Sequence, residues 1–365
     1  MKYWFALICL LFALSAQAQL KPGFDAQEYL ELLRISRLQL DTVIKGEHIP
    51  APQHYHRIYR SAVGPLKNRW ELWMNNNEKT AVISIRGSTA ESVSWLENFY
   101  AAMVPASGQL HISNTNTFTY HLADDPRATV HIGWLLGMAD IAPSVLTQLH
   151  QLYAQQGIKN FIIMGHSQGA AIAYLLRSYM AQLQQEGSVP ADVVFKTYSS
   201  APPKPGNTYY AYGYDYLTRG GWGLSVINAA DWVPETPFSV QTMNDFNKLN
   251  PFGSVSQISQ KQSFFVALYI KHVYNQLKNP PEIAVKHNQK YLGHTVYKFI
   301  KKSLPQLQEP TYADNNLYTH CGTEIILMPD AAYRQKYPDN PQKIFTHHLF
   351  GPYYELTERE YDHSK

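Results

Sequence analysis

The run Gly165-His166-Ser167-Gln168-Gly169 constrains this chain more than any other stretch, because it sets a serine between two glycines directly after the apolar segment Phe161-Ile162-Ile163-Met164. This is the pattern of a buried strand that ends in a turn too tight for side chains two residues either side of the serine, then passes at once into a helix. The helix signal follows. Ala170, Ala171, Ala173, Leu175, Leu176 and Tyr179 combine helix propensity with an apolar stripe running from Gly169 to about Gln185. The five-residue pattern alone recurs in unrelated proteins, and the strand and helix around it are what give it weight. Serine at such a turn is exposed, and the helix N-terminus behind it offers free backbone N–H groups and a partial positive charge to a developing oxyanion. Ser167 is therefore the candidate nucleophile.

A serine hydroxyl is a weak nucleophile until a histidine takes its proton and an acid orients that histidine, and on this layout the three follow in the order Ser, Asp or Glu, His. The acid candidate is Asp231, delivered by the short apolar run Val226-Ile227-Asn228-Ala229-Ala230, with Asp215 and Glu235 as competitors. Among the 15 histidines, those before Ser167 fall outside the chain order, His166 included. His272, His287 and His294 lie in helical patterns, and His320 opens the apolar strand around Thr323 to Met328. His347 and His348 sit in a loop after that strand, where the base belongs, and on residue chemistry alone they are tied.

Four stretches, in order, resemble the class 3 lipases, the fungal-type triacylglycerol lipases and their bacterial relatives. They are Ala81 to Thr89 with the downstream Trp95 to Phe99, Val130 to Trp134, the elbow itself, and an acid loop in which Asn228, Asp231, Val233, Pro234 and Pro237 keep the family spacing. Gln168 replaces the more usual leucine of the elbow. The resemblance implies an α/β-hydrolase fold, three layers around a mostly parallel sheet, and a triad of Ser167, Asp231 and His348. His348 is preferred because His348-Leu349 is similar to the family's His-Leu pair, while His320-Cys321-Gly322 looks like its His-x-Gly lead into the last strand. It also implies an oxyanion hole from the backbone N–H groups of Ser88 and Gln168, with the Ser88 hydroxyl as a further donor. Expected substrates are lipid esters, acylglycerols first, with phospholipase A1 and soluble carboxylesterase as neighbouring activities. A catalytically silent lipid- or glycan-binding relative is the alternative from another class. Such chemistry calls for no metal and no organic cofactor.

Composition sets the context. The formal net charge is +3 with 16% charged residues and no basic runs, so nothing invites nucleic acid. Lys2, the apolar stretch Phe5 to Leu14 and Ala16-Gln17-Ala18 read as a secretory signal peptide over residues 1–18, which points to a secreted or periplasmic protein. That apolar run is too short for a good membrane span, and no later apolar run is expected to reach the required length. Cys9 falls in the leader and leaves Cys321 alone, without a disulfide. His54 and His56 lack acidic or cysteine neighbours and read as strand surface rather than metal ligands. Tyr209, Tyr210, Tyr212, Tyr214 and Tyr216 either pack a partly exposed helix or line a sugar or acyl groove.

Residues 19–365 read as a single catalytic domain. A helix is expected from Ala26 to about Leu40, strands near 57–62, 69–74 and 80–85, a helix from Ile141 to Gln155, and a strand over 193–197. The interval between Asp231 and His348 is longer than one strand and helix require, and its excess over 245–310 is expected to be a helical insertion. Two helices are expected there, Phe264 to Leu277 and Ile283 to Leu304, separated by Pro280-Pro281. The first is apolar around most of its circumference, which predicts burial on more than one side, either on the sheet or as a cap over the cleft.

Overall fold

A computed structural model of the chain describes residues 20–40, 49–250 and 263–361. The expected leader therefore lies outside the described residues. Seven strands form the main sheet: β1 (His56–Arg60), β2 (Trp70–Asn75), β3 (Thr80–Ile85), β4 (Asn160–His166), β5 (Val194–Ser200), β6 (Gly223–Asn228) and β7 (Thr323–Leu327), lying side by side in that order. β1, β2 and β3 are joined antiparallel, whereas β3 to β7 are parallel throughout. Parallel neighbours need crossover connections, and these supply the covering helices.

The alternation of side chains along a strand divides the core in two. On one face Ala81, Ile83, Ile85, Phe161 and Ile163 pack with the crossover helices α3 (Ile132–Gln156), α4 (Gln168–Gln185) and α5 (Thr208–Leu217). On the other, Val82, Ile162, Met164 and Val226 pack under α1 (Ala26–Arg37) and the final helix Phe350–Tyr361. A mostly parallel sheet covered on both faces by helices makes the expected three-layer α/β fold.

α3 starts at Ile132 rather than Ile141, because the His131 side chain accepts from the Trp134 N–H and caps it. Its length and composition would suffice to cross a membrane, but Leu135, Met138, Ala142 and Val145 are fully buried in the core. α5 divides the tyrosines between the two readings. Tyr209, Tyr210 and Tyr214 are buried, while Tyr212 and Tyr216 are exposed and border, with Tyr209, a surface depression of about 470 Å³ that contains none of the candidate catalytic residues.

The stretch 263–300 departs most from expectation. One helix, α6 (Phe264–Asn288), runs straight through Pro280 and Pro281, then continues as a π-helical stretch, Gln289–Thr295, into the short α7 (Val296–Ile300). Its N-terminal apolar residues are exposed, not buried on more than one side: Phe264, Phe265, Leu268 and Tyr269 all face outward. Apolar character around a helix is evidence of burial only when some element is there to cover each side. α7 instead packs on the short helix α2 (Ser92–Phe99), which follows β3.

Candidate active site

Ser167, Asp231, His348 and Ser88 all lie beyond the C-terminal ends of parallel strands, where sheets of this class present their sites. Ser167 forms the turn between β4 and α4 with φ 61° and ψ −129°, a conformation that costs about 1–3 kcal/mol for a non-glycine residue. The surrounding backbone enforces it. Ser167 N–H donates to Ser200 O at 2.9 Å, a Cβ on Gly165 would meet Gly169 O at 2.1 Å, and one on Gly169 would meet Ile85 O at 2.4 Å. Both glycines of the motif are therefore required by close backbone approach.

Asp231 is buried, and its Oδ2 accepts from His348 Nδ1 at 2.7 Å and from the Tyr353 hydroxyl at 2.8 Å, while its Oδ1 accepts from the Val233 N–H at 3.0 Å. Burial pushes its pKa up, but the charge and hydrogen bond of His348, with the Val233 and Tyr353 bonds, outweigh that and hold the carboxyl below its ordinary value. With Nδ1 turned to Asp231, Nε2 is the histidine nitrogen left for a proton from the serine. Ser167 and His348 border the same cleft.

The competitors are engaged elsewhere. His347 sits between the Tyr333 hydroxyl, 2.8 Å from its Nδ1, and Asp339, 2.9 Å from its Nε2. Asp215 accepts from the Gly322 N–H at 2.6 Å, Glu235 is exposed, and Cys321 is fully enclosed with its thiol pKa raised by burial. His54 and His56 are both exposed.

Sequence reasoning missed the residues that hold the candidate base, His348. His166 Nε2 lies 2.8 Å from His348 O, and a carbonyl can only accept, so Nε2 carries the proton. Nδ1 then accepts from Ser200 Oγ at 3.0 Å, and Ser200 in turn accepts from Tyr29 at 2.6 Å. Burial and the charge of His348 lower the His166 pKa to about 3, consistent with this neutral tautomer. Asn228 Nδ2 donates to His347 O at 3.0 Å and Trp232 Nε1 to Ile344 O at 2.8 Å. Three side chains thus clamp the backbone carrying His348. Asn228 was already visible in the acid-loop spacing, but the rest left no local signal.

The Arg86-Gly87-Ser88 turn runs against the elbow: a Cβ on Gly87 would sit 2.8 Å from His166 O and 3.5 Å from Ser167 Cβ. Asn98 orients Ser88. Its Oδ1 accepts from Trp134 Nε1 at 2.9 Å, an indole that can only donate, so its Nδ2 faces Ser88 Oγ at 2.8 Å as donor. With Ser88 Oγ accepting, its own proton is free for an oxyanion. Gln168 opens α4, and its buried side chain exchanges bonds with Ser94, Nε2 to Ser94 O at 3.2 Å and Ser94 Oγ to Oε1 at 3.4 Å, which ties α2 to the elbow. We expect Ser88→Ala to slow ester turnover about 10²-fold with only a small fall in melting temperature from the lost Asn98 bond. Unchanged turnover with lowered stability would make Ser88 a structural turn residue.

The cleft measures about 410 Å³ and is bordered by Leu40, Trp95, Phe345, Leu349 and Phe350 besides the reactive groups. Two of its lining residues, Trp95 and Phe345, belong to a chain of rings: Phe99 to Trp95 at 6.5 Å, Trp95 to Phe345 at 5.6 Å and Phe345 to Trp232 at 5.3 Å between centroids. No described residue of 263–300 borders it, so α6 does not cap the site.

Residues 82–241 match the family of class 3 lipases. Over 104 residues the chain is 31% identical to secreted mono- and diacylglycerol lipase 3 of Gibberella zeae, a match that covers 28% of this chain and only 30% of that relative's length. Among solved structures, the triacylglyceride lipase of Rhizomucor miehei is similar at 22% identity over 60% of this chain and 77% of that one, with a TM-score of 0.43. A triacylglycerol lipase of Penicillium expansum is 16% identical over 59% and 75%, with a TM-score of 0.42.

Proposed function

With residues 82–241 matching the class 3 lipase family, we propose that the protein is a member of it and a serine hydrolase that cleaves carboxylic esters of lipids, acylglycerols foremost. Ser167, deprotonated by Nε2 of His348, attacks the ester carbonyl, and Asp231 holds the tautomer and stabilises the imidazolium. The backbone N–H groups of Ser88 and Gln168, with the Ser88 hydroxyl, receive the oxyanion. His348 then protonates the leaving alcohol, and water, activated by the same histidine, releases the acid from the acyl-enzyme. The observation that carries this reading is the 2.7 Å contact of His348 Nδ1 with a buried Asp231, on a histidine that shares its cleft with a strained serine.

The apolar cleft supports an acyl-binding role, and the relative's name together with the Lys2, Phe5 to Leu14 and Ala16 to Ala18 pattern supports secretion. A fluorophosphonate should label the parent chain at Ser167 and leave Ser167→Ala unlabelled. Each buried methylene contributes about 0.8 kcal/mol, so kcat/KM for soluble esters should rise about fourfold per methylene from acetate to butyrate. Absence of labelling, or a flat chain-length profile, would count against the enzyme and the acyl cleft respectively. A parallel panel of triglyceride, diglyceride and phospholipid distinguishes lipase from phospholipase A1 and carboxylesterase.

A further inference from the structure

Glu97 is fully buried on the inner side of α2, and α3 packs against it at two glycines one turn apart. A Cβ on Gly133 would sit 1.9 Å from Glu97 O, and one on Gly137 would sit 2.4 Å from its Oε1 and 2.9 Å from Asn68 Nδ2. Asn68 Nδ2 donates to Glu97 Oε1 at 3.1 Å, and among the described residues the carboxyl receives no other hydrogen bond and no ion pair. The remaining atoms of the same two groups, Glu97 Oε2 and the buried Asn68 Oδ1, are both left without a donor. An ionised carboxylate and an amide oxygen only accept, so neither can serve the other. A proton on Oε2 makes the carboxyl a donor to Oδ1 and satisfies both atoms.

We propose that Glu97 works as a neutral carboxylic acid, joined to Asn68 by two reciprocal hydrogen bonds, and that this pair is a positioning element for the oxyanion hole. The next residue is Asn98, whose Nδ2 donates to Ser88 Oγ and whose backbone carbonyl accepts from His131 Nε2 at 3.1 Å. The last turn of α2 thus carries the group that frees the Ser88 proton for substrate, and the Glu97 pair sets how closely that turn seats on α3. Burial, and then the negative charge of Asp140 on α3, push the Glu97 pKa well above the ordinary carboxyl value against the opposing Asn68 bond. The other charges around it are spoken for. Glu91 at the start of α2 pairs with Lys67, Arg69 and Arg86 donate to the carbonyls of Gln39 and Lys67, His131 is kept neutral by burial with its pKa lowered to about 3, and Lys298 of α7 is exposed. The folded chain therefore keeps a proton that the unfolded chain loses above about pH 4.3, so stability falls as pH rises from there until the folded carboxyl itself ionises. The positioning role rests on the ester-hydrolase reading above, whereas the protonation state does not.

The test sets Glu97→Gln beside Glu97→Ala in the full chain. Glutamine reproduces the neutral pair, its NH₂ donating to Asn68 Oδ1 and its oxygen accepting from Nδ2. At about pH 8, where ordinary carboxyls are ionised, infrared difference spectra should show a protonated-carboxyl carbonyl band in the parent that Glu97→Gln lacks. Between about pH 5 and 9 the parent's melting temperature should fall more steeply than that of Glu97→Gln, which carries the same Asp140. On a soluble butyrate ester Glu97→Gln should keep kcat within about twofold of the parent, while Glu97→Ala loses about tenfold in kcat with KM unchanged. In a Ser88→Ala background the same Glu97→Ala change should cost less than about twofold more, because the donor it positions is already gone. Absence of the band, a glutamine variant as impaired as the alanine one, or an equal kcat loss with and without Ser88 would each overturn the proposal. The band and the glutamine variant decide it even where Glu97→Ala does not fold. A parent that shows the band but hydrolyses no ester would instead refute the proposed function, with Glu97 still the neutral partner of Asn68.

Discussion

Replacing Ser167 or His348 by alanine should each lower kcat for a soluble ester at least about a thousandfold, roughly 4 kcal/mol of transition-state stabilisation, with the fold retained. The two losses should not add, since a nucleophile without its base and a base without its nucleophile fail at the same step. His347→Ala is the decisive control. His347 is spanned by Tyr333 and Asp339 and contributes only its backbone carbonyl to the loop holding His348. Its replacement should therefore cost less than about tenfold. An inactive His347 variant beside an active His348 variant would reverse the assignment of the base.

Asp231→Asn should be nearly as damaging, about 10³- to 10⁴-fold in kcat, for a reason specific to this site. The two carboxylate oxygens have different neighbours: Oδ1 faces the Val233 N–H, and Oδ2 faces His348 Nδ1 and Tyr353. An asparagine has one oxygen for both. The backbone N–H at Val233 can only donate, so it draws the amide oxygen and turns the NH₂ toward His348 Nδ1. That nitrogen must then accept, the ring proton moves to Nε2, and the histidine can no longer take the serine proton. Circular dichroism and thermal melts should match the parent. Full activity in Asp231→Asn would move the acid to Asp215, which accepts from the Gly322 N–H, or to the exposed Glu235.

The readable parts of this protein are those in which a physical requirement acts over a few residues. A strand, a glycine-flanked serine and a helix must be contiguous to make the elbow, so Gly165 to Gly169 could be read directly. Asp231 at the end of β6 and Ser88 after β3 follow from the same rule that strands deliver residues to one edge. His347 and His348 could not be separated by residue chemistry, because they differ only in which way a 3₁₀ turn, Thr346–His348, points each ring. That direction is set by Asn228, His166 and Trp232 acting on backbone carbonyls more than 100 positions away in sequence.

α6 fails for the opposite reason. Its apolar circumference was legible, and burial was the reasonable expectation, but a helix buries only the sides that other elements cover. The amino-acid sequence alone determined the glycine-flanked turn that presents Ser167, the chain order of the candidate residues and the alternation that splits the core between two faces of the sheet, all consequences of local spacing. Tertiary structure alone decided which histidine meets Asp231, that Tyr353 shares that carboxylate, that Gln168 pins α2 through Ser94, and that Phe264 and Phe265 face outward. Each of these depends on the relative placement of segments far apart in the chain, which is set by the packing of the whole and leaves no period or motif in any one of them.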